Sequence, residues 1–316
     1  MLSRRCLVFS ALATLSACAT APALAPGRLV AITFDDLPFA EAQAAGTGAA
    51  LAANDAIRRV LVRQGVPAIG FVTESHVAAL GPAGPRLLDA WLRDGLALGN
   101  HGATHADINA LDLDEIEAEV LNGAATAGPM AERFGRPLSF YRFAYNHVGE
   151  TEPKRAAIGA LLTKHGYRLA AATIDTSDYL FDRAWTRAGR NRALRQRIER
   201  AYLDHSRAQI RYYAGLNARV LGYEPPAIML LHLNGINGAT LGRLLDLFRD
   251  EGYSFVSLER AQADPAYAQS PAVATRFGPM WGYRWARERR VKVDGTLEQE
   301  PPAWIARFAE EGASPG

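Results

Sequence analysis

Short apolar runs alternate with amphipathic stretches over most of the chain. Seven apolar runs predict β-strands, at residues 29–34, 68–72, 96–100, 139–143, 169–174, 228–233 and 254–258. The stretches between them have apolar residues at helical spacing and predict helices at residues 51–63, 86–94, 114–134, 153–164, 190–221 and 239–250. This alternation is typical of an α/β barrel or of a doubly wound parallel sheet. In both folds, reactive groups lie at the carboxyl ends of the strands.

Polar side chains come at the ends of several of these predicted strands. Asp35 and Asp36 follow the first strand, and His101 follows the third. Arg142 lies near the end of the fourth strand, and His232 near the end of the sixth. Because the carboxyl ends of parallel strands meet at one edge, we expect these side chains to share one rim.

The adjacent carboxyl groups of Asp35 and Asp36 have two interpretations. Aspartate is common in turns at strand ends, so the pair could be structural. Like charges so close repel each other, and burial increases that cost. A cation bound to one carboxylate would remove the repulsion, and the other carboxylate would be free to act as a general base on water.

His101 and His105 lie four residues apart in "HGATH", a spacing that puts both imidazoles on one face of a helical turn. Glycines in the same stretch indicate that it is partly loop. Neutral imidazole and carboxylate are zinc ligands, and two histidines with one aspartate leave coordination positions open, as catalytic sites require. The same set also binds non-haem iron in oxygenases. Those oxygenases normally have all-β folds, so the α/β alternation favours a hydrolytic site.

Five segments then occur in the order and approximate spacing of the motifs of one family: "TFDD", "HGATH", "YRFAYN", "IDTSDY" and "LLH". Over about residues 29 to 260 the sequence resembles the polysaccharide deacetylases, the NodB-homology enzymes of carbohydrate esterase family 4. The resemblance implies an α/β fold, a distorted (β/α)7 barrel. It also implies a divalent metal, usually Zn²⁺, with Co²⁺ or another divalent ion as the alternative. The implied reaction is removal of acetyl groups from amino sugars or acetylated glycans.

The resemblance also implies a role for each matching residue. Asp35 matches the catalytic base, and Arg142 matches the arginine that holds it; Asp36, His101 and His105 match the metal ligands. His232 matches the general acid, Asp178 matches the acid that orients it, and the backbone N–H of Tyr145 matches the oxyanion donor. Leu230 matches the apolar residue beneath the acetyl methyl group, and Tyr179 matches a substrate contact where tryptophan is common. Phe143, Ala144 and Asn146 replace the usual prolines and glycine of the third motif, and Gly102 replaces a serine or threonine. Asp175 is expected to support the rim.

The first residues are interpreted as an export leader. Arg4 and Arg5 precede an apolar run over residues 6–17, which is too short to span a bilayer. "LSAC" resembles a lipobox, which predicts lipid attachment at Cys18 and a periplasmic protein anchored to the outer membrane. Cleavage by ordinary signal peptidase shortly after this cysteine, or twin-arginine export, are the alternatives.

These features divide the chain into four predicted parts: a leader at residues 1–18, a Pro/Ala tether at 19–28, the deacetylase domain at 29–262 and a C-terminal extension at 263–316 packed on the barrel. Tryptophans of the extension, Trp281, Trp285 and Trp304, would pack on the barrel or else line a sugar groove. His76, His165 and His205 are expected to be ordinary surface or packing residues.

Composition excludes several classes of function. Of 316 residues only Cys6 and Cys18 are cysteines, so the predicted domain has no disulfide and no thiolate nucleophile. Without Arg4 and Arg5, 33 basic residues balance 33 acidic ones, and such a domain has no field to attract nucleic acid. The expected partner is an acetylated oligo- or polysaccharide, with membrane contact only through the lipid at Cys18. A non-catalytic glycan-binding lipoprotein on the same fold is the alternative. The oligomeric state stays open.

Overall fold

The computed structural model describes residues 27–44 and 46–311. Its strands are β1 (Arg28–Leu37), β2 (Ala68–Val72), β3 (Ala97–Asn100), β4 (Phe140–Tyr141), β5 (Arg168–Leu169), β6 (Ala227–His232) and β7 (Tyr253–Val256). Its helices are α1 (Gly46–Gln64), α2 (Glu74–Ala79), α3 (Ala83–Arg93), α4 (Leu113–Asn122), α5 (Ala127–Arg133), α6 (Glu152–Lys164), α7 (Asp178–Arg187), α8 (Arg192–Leu221), α9 (Gly235–Asp250), α10 (Leu258–Ala261), α11 (Trp281–Glu288) and α12 (Ala303–Glu310). The predicted leader and residues 19–26 of the predicted tether lie outside the described residues.

The strands pair in parallel in the order β5-β4-β3-β2-β1-β6. β7 pairs with the first half of β1, at Arg28–Ala31, and β2 pairs with the second half. The chain after β5 closes the ring, because Ile174 forms a bridge with Met229 and accepts a 3.0 Å hydrogen bond from the Leu230 N–H. The sheet is therefore the distorted (β/α) barrel that the sequence predicts.

Burial on both faces explains why the strands are continuous apolar runs. In β1, the consecutive residues Val30, Ala31 and Ile32, whose side chains point to alternate faces, are at most 1% exposed. Helices pack around this sheet, and Ile57 of α1 and Leu244 of α9 belong to the same apolar cluster. Full burial of one such side chain stabilises the fold by about 1.5–3 kcal/mol. The apolar stripes of the helices thus bind them to the barrel and leave its carboxyl rim for polar groups.

Two of the predicted helices differ from those observed, and the short helices α2, α10, α11 and α12 were not predicted. The helix predicted at 114–134 is two helices, α4 and α5, because the Glu74 carboxylate accepts hydrogen bonds from the Thr126 hydroxyl and from its N–H at 3.1 Å. These bonds hold Thr126, the residue before α5, against Glu74, the first residue of α2, so that α5 begins as a separate helix. The long helix α8 begins at Arg192, capped by the Asn191 side chain, and a separate helix, α7, which the pattern did not predict, precedes it.

The chain beyond residue 262 returns to the barrel. Trp281 and Trp285 of α11 are 1% and 3% exposed and pack against Tyr267 with ring centres 5.7 and 5.4 Å away. Both indoles are therefore part of the core. Trp304 of α12 lies beneath the guanidinium of Arg197, 4.2 Å from ring centre to carbon. Within residues 27–44 and 46–311, no helix has the length and apolar character needed to cross a bilayer.

Candidate active site

The end of β1 presents two neighbouring carboxylates to one cavity. In a regular strand Asp35 and Asp36 would face opposite sides of the sheet. Here the pairing of β1 with β2 shifts register between Phe34 and Leu37, and Asp36 has a left-handed φ of 62°. Both side chains consequently line a cavity of about 560 Å³ at the carboxyl rim. The sequence predicted a strand that ends before Asp35, whereas β1 continues to Leu37 and contains the irregularity.

A buried arginine holds one oxygen of Asp35. Arg142 Nη1 donates to Asp35 Oδ1 at 2.7 Å and to the Thr33 hydroxyl at 2.8 Å. Arg142 Nη2 donates to the carbonyl of Ala171 at 2.7 Å. The guanidinium is fully buried and lies over the ring of Phe71, 4.4 Å from its centre. A buried charge is tolerated only when it is paired and hydrogen-bonded, so the pair fixes the orientation of Asp35.

Three ligand atoms meet at Asp36. Its Oδ1 lies 3.6 Å from His101 Nε2 and 3.5 Å from His105 Nε2, and the three atoms lie within 4.8 Å of one another. A tetrahedral ion with bonds of about 2 Å separates its ligands by about 3.4 Å, so these donors fit a divalent cation. The two histidines lie in a loop and not on a helical turn, and His105 has a φ of 63°.

The tautomer of His101 suits this role. Its Nδ1 lies 2.7 Å from the carbonyl oxygen of Arg142. A carbonyl oxygen can only accept a hydrogen bond, so the proton is on Nδ1 and the lone pair of Nε2 points towards Asp36. Arg142 therefore supports both halves of the site, through its side chain at Asp35 and through its backbone at His101.

Burial and charge set the protonation states of these ligands. Burial opposes the charge of Asp36, but the neighbouring histidines, His101 and His105 foremost, hold its pKa below the usual range. Burial lowers the pKa of His101, against the attraction of Asp35 and Asp36. At neutral pH the carboxylate is thus ionised and the imidazole neutral, which are the forms that bind metals.

The histidine loop is fixed to α4. Glu119 accepts hydrogen bonds from the N–H groups of Ala103 and Thr104 at 3.0 and 2.9 Å. Gly102 has a φ of 94°, and a Cβ there would lie 2.9 Å from the hydroxyl oxygen of Tyr141. A side chain at this position would be strained and crowded, which accounts for the glycine between the two histidines.

His232 lies beside Asp35, since the two residues are register partners in the pairing of β1 with β6. Its Nδ1 is 2.6 Å from Asp178 Oδ1, and its backbone N–H donates to Asp178 Oδ2 at 2.7 Å. The side chains of Asn234 and Asn237 donate to the same carboxylate. Burial alone would lower the pKa of His232, but the carboxylates around it, Asp178 foremost, raise that pKa to about 10. His232 consequently carries a proton at neutral pH.

The other residues singled out in the sequence line the same cavity. Leu230 is buried, whereas Tyr145 and Tyr179 are 58% and 45% exposed. The ring of Tyr145 packs edge-on to that of His105 with centres 5.0 Å apart. The fold thus brings all the predicted site residues to one rim, and their individual roles stay predictions.

Sequence reasoning missed one residue beside the predicted ligands. His76 of α2, expected to be an ordinary packing residue, is buried with its Nδ1 4.0 Å from Asp36 Oδ1. Its ring lies nearly parallel to that of His105, with centres 6.3 Å apart. No spacing in the sequence signals this placement, because α2 and the histidine loop meet only in the folded barrel.

Two carboxyl groups, the half-buried one of Asp175 and the buried one of Asp182, form another wall of the cavity. Burial raises the pKa of Asp175 to about 6, against the hydrogen bond from the Ser177 N–H. Burial also raises the pKa of Asp182 to about 6, although the Ile236 N–H donates to it at 2.8 Å. Asp175 was expected at the rim, whereas Asp182, at helical spacing from Asp178, was not singled out.

Comparison with known proteins gives a family and a fold. Residues 24–169 match the family model described as polysaccharide deacetylase. No curated protein sequence matches the chain. A mutant of a CE4 family pseudoenzyme with restored enzymatic activity, whose wild-type form is from Bacillus anthracis, superposes with a TM-score of 0.51 at 16% identity, over 75% of this chain and 68% of that one. A deacetylase solved with substrate gives 0.50 at 20% identity, over 75% and 92%. At these identities, the structural likeness shows the fold alone.

Proposed function

Since the chain belongs to the polysaccharide deacetylase family, we propose that it is a metal-dependent hydrolase that removes acetyl groups from N-acetylated or O-acetylated sugars of a cell-envelope or extracellular polysaccharide. One observation carries this proposal. The carboxylate of Asp35, which Arg142 holds in place, lies in the same cavity as two other groups. On one side is the triad Asp36, His101 and His105, which could hold a cation, and on the other is the protonated His232. A base, a cation site and an acid are the groups that amide or ester hydrolysis needs.

Asp35 acts as the general base. Arg142 occupies Oδ1, and Oδ2 lies 3.9 Å from His101 Nε2, towards the cation site. This oxygen is placed to accept a proton from a water that attacks the acetyl carbonyl carbon. General bases positioned in this way contribute about 10²- to 10⁴-fold to the rate.

Asp36, His101 and His105 would hold the divalent cation, with zinc as the expected ion and cobalt as an alternative. A cation there supplies Lewis-acid polarisation of the acetyl carbonyl. With Asp36 bound to the cation, the neighbouring Asp35 is the carboxylate of the pair that is left to accept a proton.

His232 acts as the general acid. Hydrolysis leaves an amine or alcohol that must gain a proton, and His232 holds one at neutral pH because Asp178 stabilises the imidazolium. The backbone N–H of Tyr145 is the proposed donor to the oxyanion formed in the attack. Leu230, buried at the wall of the cavity, is the proposed contact of the acetyl methyl group.

The exposed rings of Tyr145 and Tyr179 support a sugar substrate. Both rings line the cavity and are about half exposed, so part of each ring is accessible at its mouth. A cavity of about 560 Å³ is within the ordinary range for small-molecule sites. We propose that a glycan chain runs across this mouth and inserts one acetyl group.

A non-catalytic glycan-binding protein is the second candidate, because one structure with this fold is described as a pseudoenzyme. Binding alone needs no free base beside a cation site, and the Asp35–Arg142 pair therefore favours catalysis.

Export to the periplasm and lipid attachment at Cys18 also remain part of the proposal. Labelling with a fatty acid in the parent chain and its loss in Cys18→Ala would support the anchor, whereas labelling of neither would contradict it.

Acetate release tests the proposed function. The full chain would be loaded with zinc or cobalt and given acetylated chitin-type, peptidoglycan-type, poly-N-acetylglucosamine and xylan oligosaccharides. We expect metal-dependent acetate release from at least one of them, with loss of release after chelation and recovery on adding the ion. Glycan binding without acetate from any substrate would favour the second candidate.

A further inference from the structure

The C-terminal extension reaches the candidate active site. Gly278 and Met280, from the segment just before α11, line the same cavity as Asp35 and His232. Met280 is 6% exposed, and it leads into the buried α11. One wall of the cavity therefore comes from outside the βα repeats that supply the predicted catalytic residues.

Gly278 lies against the backbone of the loop that carries the proposed oxyanion donor. A Cβ at Gly278 would overlap the carbonyl oxygen of Tyr145 and lie 3.0 Å from the carbonyl carbon of Asn146. Contacts this close are possible only because glycine has no side chain. The extension and the loop are thus in direct backbone contact.

Three hydrogen bonds join the loop to the extension. Asn146 Nδ2 donates to the carbonyl oxygens of Gly278 and Pro279, at 3.1 and 3.3 Å. In return, Arg284 Nη2 donates to the carbonyl oxygen of Asn146. Arg284 Nε also donates to the Pro279 carbonyl at 2.8 Å, so one guanidinium holds both sides of the contact.

Arg284 is an unusual residue to bury. It is 2% exposed, and burial lowers its pKa to about 10 with no carboxylate contributing among the described residues. A buried cation is costly unless polar groups surround it. The groups that surround this one are backbone carbonyls of the loop and of residue 279, so its position is tied to the geometry of that contact.

The loop needs such outside support. Tyr145 and Asn146 have φ values of 56° and 55°, in the left-handed region that disfavours residues other than glycine. Two consecutive residues of this kind cost about 1–2 kcal/mol each and persist only when surrounding contacts hold them. The φ of Tyr145 is one of the two torsion angles that set the direction of its N–H.

We propose that Arg284 and Gly278 are positioning residues that hold the Tyr145 N–H towards the reacting carbonyl, so that the C-terminal extension completes the active site. This inference rests on the proposed deacetylase function. An oxyanion donor acts mainly in the transition state, so a displaced loop lowers kcat. The ring of Tyr145 at the mouth of the cavity moves with the loop, so KM rises as well, but by less than kcat falls.

The test compares Gly278→Ala, Arg284→Ala and Arg284→Lys with two matched controls in the extension. Gly295→Ala is the glycine control, because nothing lies within 4 Å of a Cβ there, and Arg287→Ala is the arginine control, because Arg287 is exposed on α11. Measurements are kcat and KM for acetate release, zinc affinity by calorimetry and the thermal midpoint.

For Gly278→Ala and Arg284→Ala we expect kcat to fall about 10- to 100-fold, KM to rise by a smaller factor and zinc affinity to stay at the parental value. Arg284→Lys keeps the charge and should recover part of kcat. Both controls should match the parent. Parental kcat in a folded Gly278→Ala variant would overturn the inference, as would equal losses in kcat and in zinc affinity.

A crystal structure of Gly278→Ala keeps the inference separate from the proposed function. We expect a displaced Tyr145–Asn146 backbone with Asp36, His101 and His105 unmoved. An unmoved loop would overturn the positioning role even if the protein is an active deacetylase. If the loop is displaced but the parent protein releases no acetate, the result supports the role of Gly278 in positioning the loop and contradicts the proposed deacetylase function.

Discussion

Arg142 Nη1 and Asp35 Oδ1 form a fully buried ion pair 2.7 Å long at the base of the cavity. The pair separates the two adjacent aspartates chemically. Asp35 is bound by an arginine, whereas Asp36 faces the histidines. The division of work between neighbouring carboxylates therefore follows from which cationic group each one meets, and several consequences can be measured.

Loss of the arginine should destabilise the fold. In Arg142→Met the carboxylate of Asp35 is left buried without its partner, and removal of one member of a buried pair costs about 3–5 kcal/mol. Urea unfolding measures the change in free energy. The double variant Asp35→Asn with Arg142→Met should recover part of the loss, because no charge is then buried. Equal stability of parent and single variant would contradict the pairing.

The three predicted ligands should govern cation affinity. We expect Asp36→Ala and His101→Ala to weaken zinc binding at least 100-fold in calorimetric titration, because each removes one of three donors. His165→Ala is the matched control, since His165 pairs with Glu117 away from the cavity. Zinc affinity that is unchanged in the ligand variants, or lost equally in the control, would rule out this site.

Asp178 should determine the pH at which kcat/KM falls on the alkaline side. Burial alone lowers the pKa of His232, and Asp178 is the main group that raises it to about 10. In Asp178→Asn the largest of the groups that raise this pKa is lost, so the imidazolium should lose its proton at a lower pH. The alkaline fall of kcat/KM should then begin at a lower pH than in the parent, and NMR titration of the imidazole reports the same shift. A parental alkaline limb in the variant would exclude His232 as the acid.

His205 should make the fold sensitive to mild acid. Burial lowers its pKa to about 4, below the 6.5 of an unfolded histidine, so the unfolded chain binds the proton first as the pH falls. The contribution of His205 to the free energy of unfolding is fully present above pH 6.5 and is lost as the pH falls from 6.5 to 4. From pH 7.5 to 5 the loss is about 2 kcal/mol. His205→Gln should lose about 2 kcal/mol less than the parent over that range in urea unfolding, and equal losses would contradict the assignment.

Much of the fold and site could be predicted because the controlling signals are local. β1 and β6 are apolar runs with polar residues at their ends, and parallel strands bring those ends together at one rim. This rule places Asp35 beside His232 although they are far apart in the sequence. The ordered motifs then indicate the family whose model matches residues 24–169.

Other features depend on contacts between distant segments and have no local signal. The left-handed φ of Asp36 comes from the irregular pairing of β1 with β2. The break between α4 and α5 depends on Glu74, and His76 reaches Asp36 only through the position of α2. Gly278 looks like any loop glycine in the sequence, and its contact with Tyr145 appears only in the folded chain.

The most direct test of the account is acetate release by Asp35→Asn and by the parent, each with bound zinc confirmed by calorimetry. Asn at position 35 keeps the shape of the side chain but cannot accept the proton. We expect kcat to fall about 10²- to 10⁴-fold while zinc and glycan affinity stay within about threefold of the parent. Parental turnover in the zinc-loaded variant would show that Asp35 is not the base and would contradict the proposed division between the two aspartates.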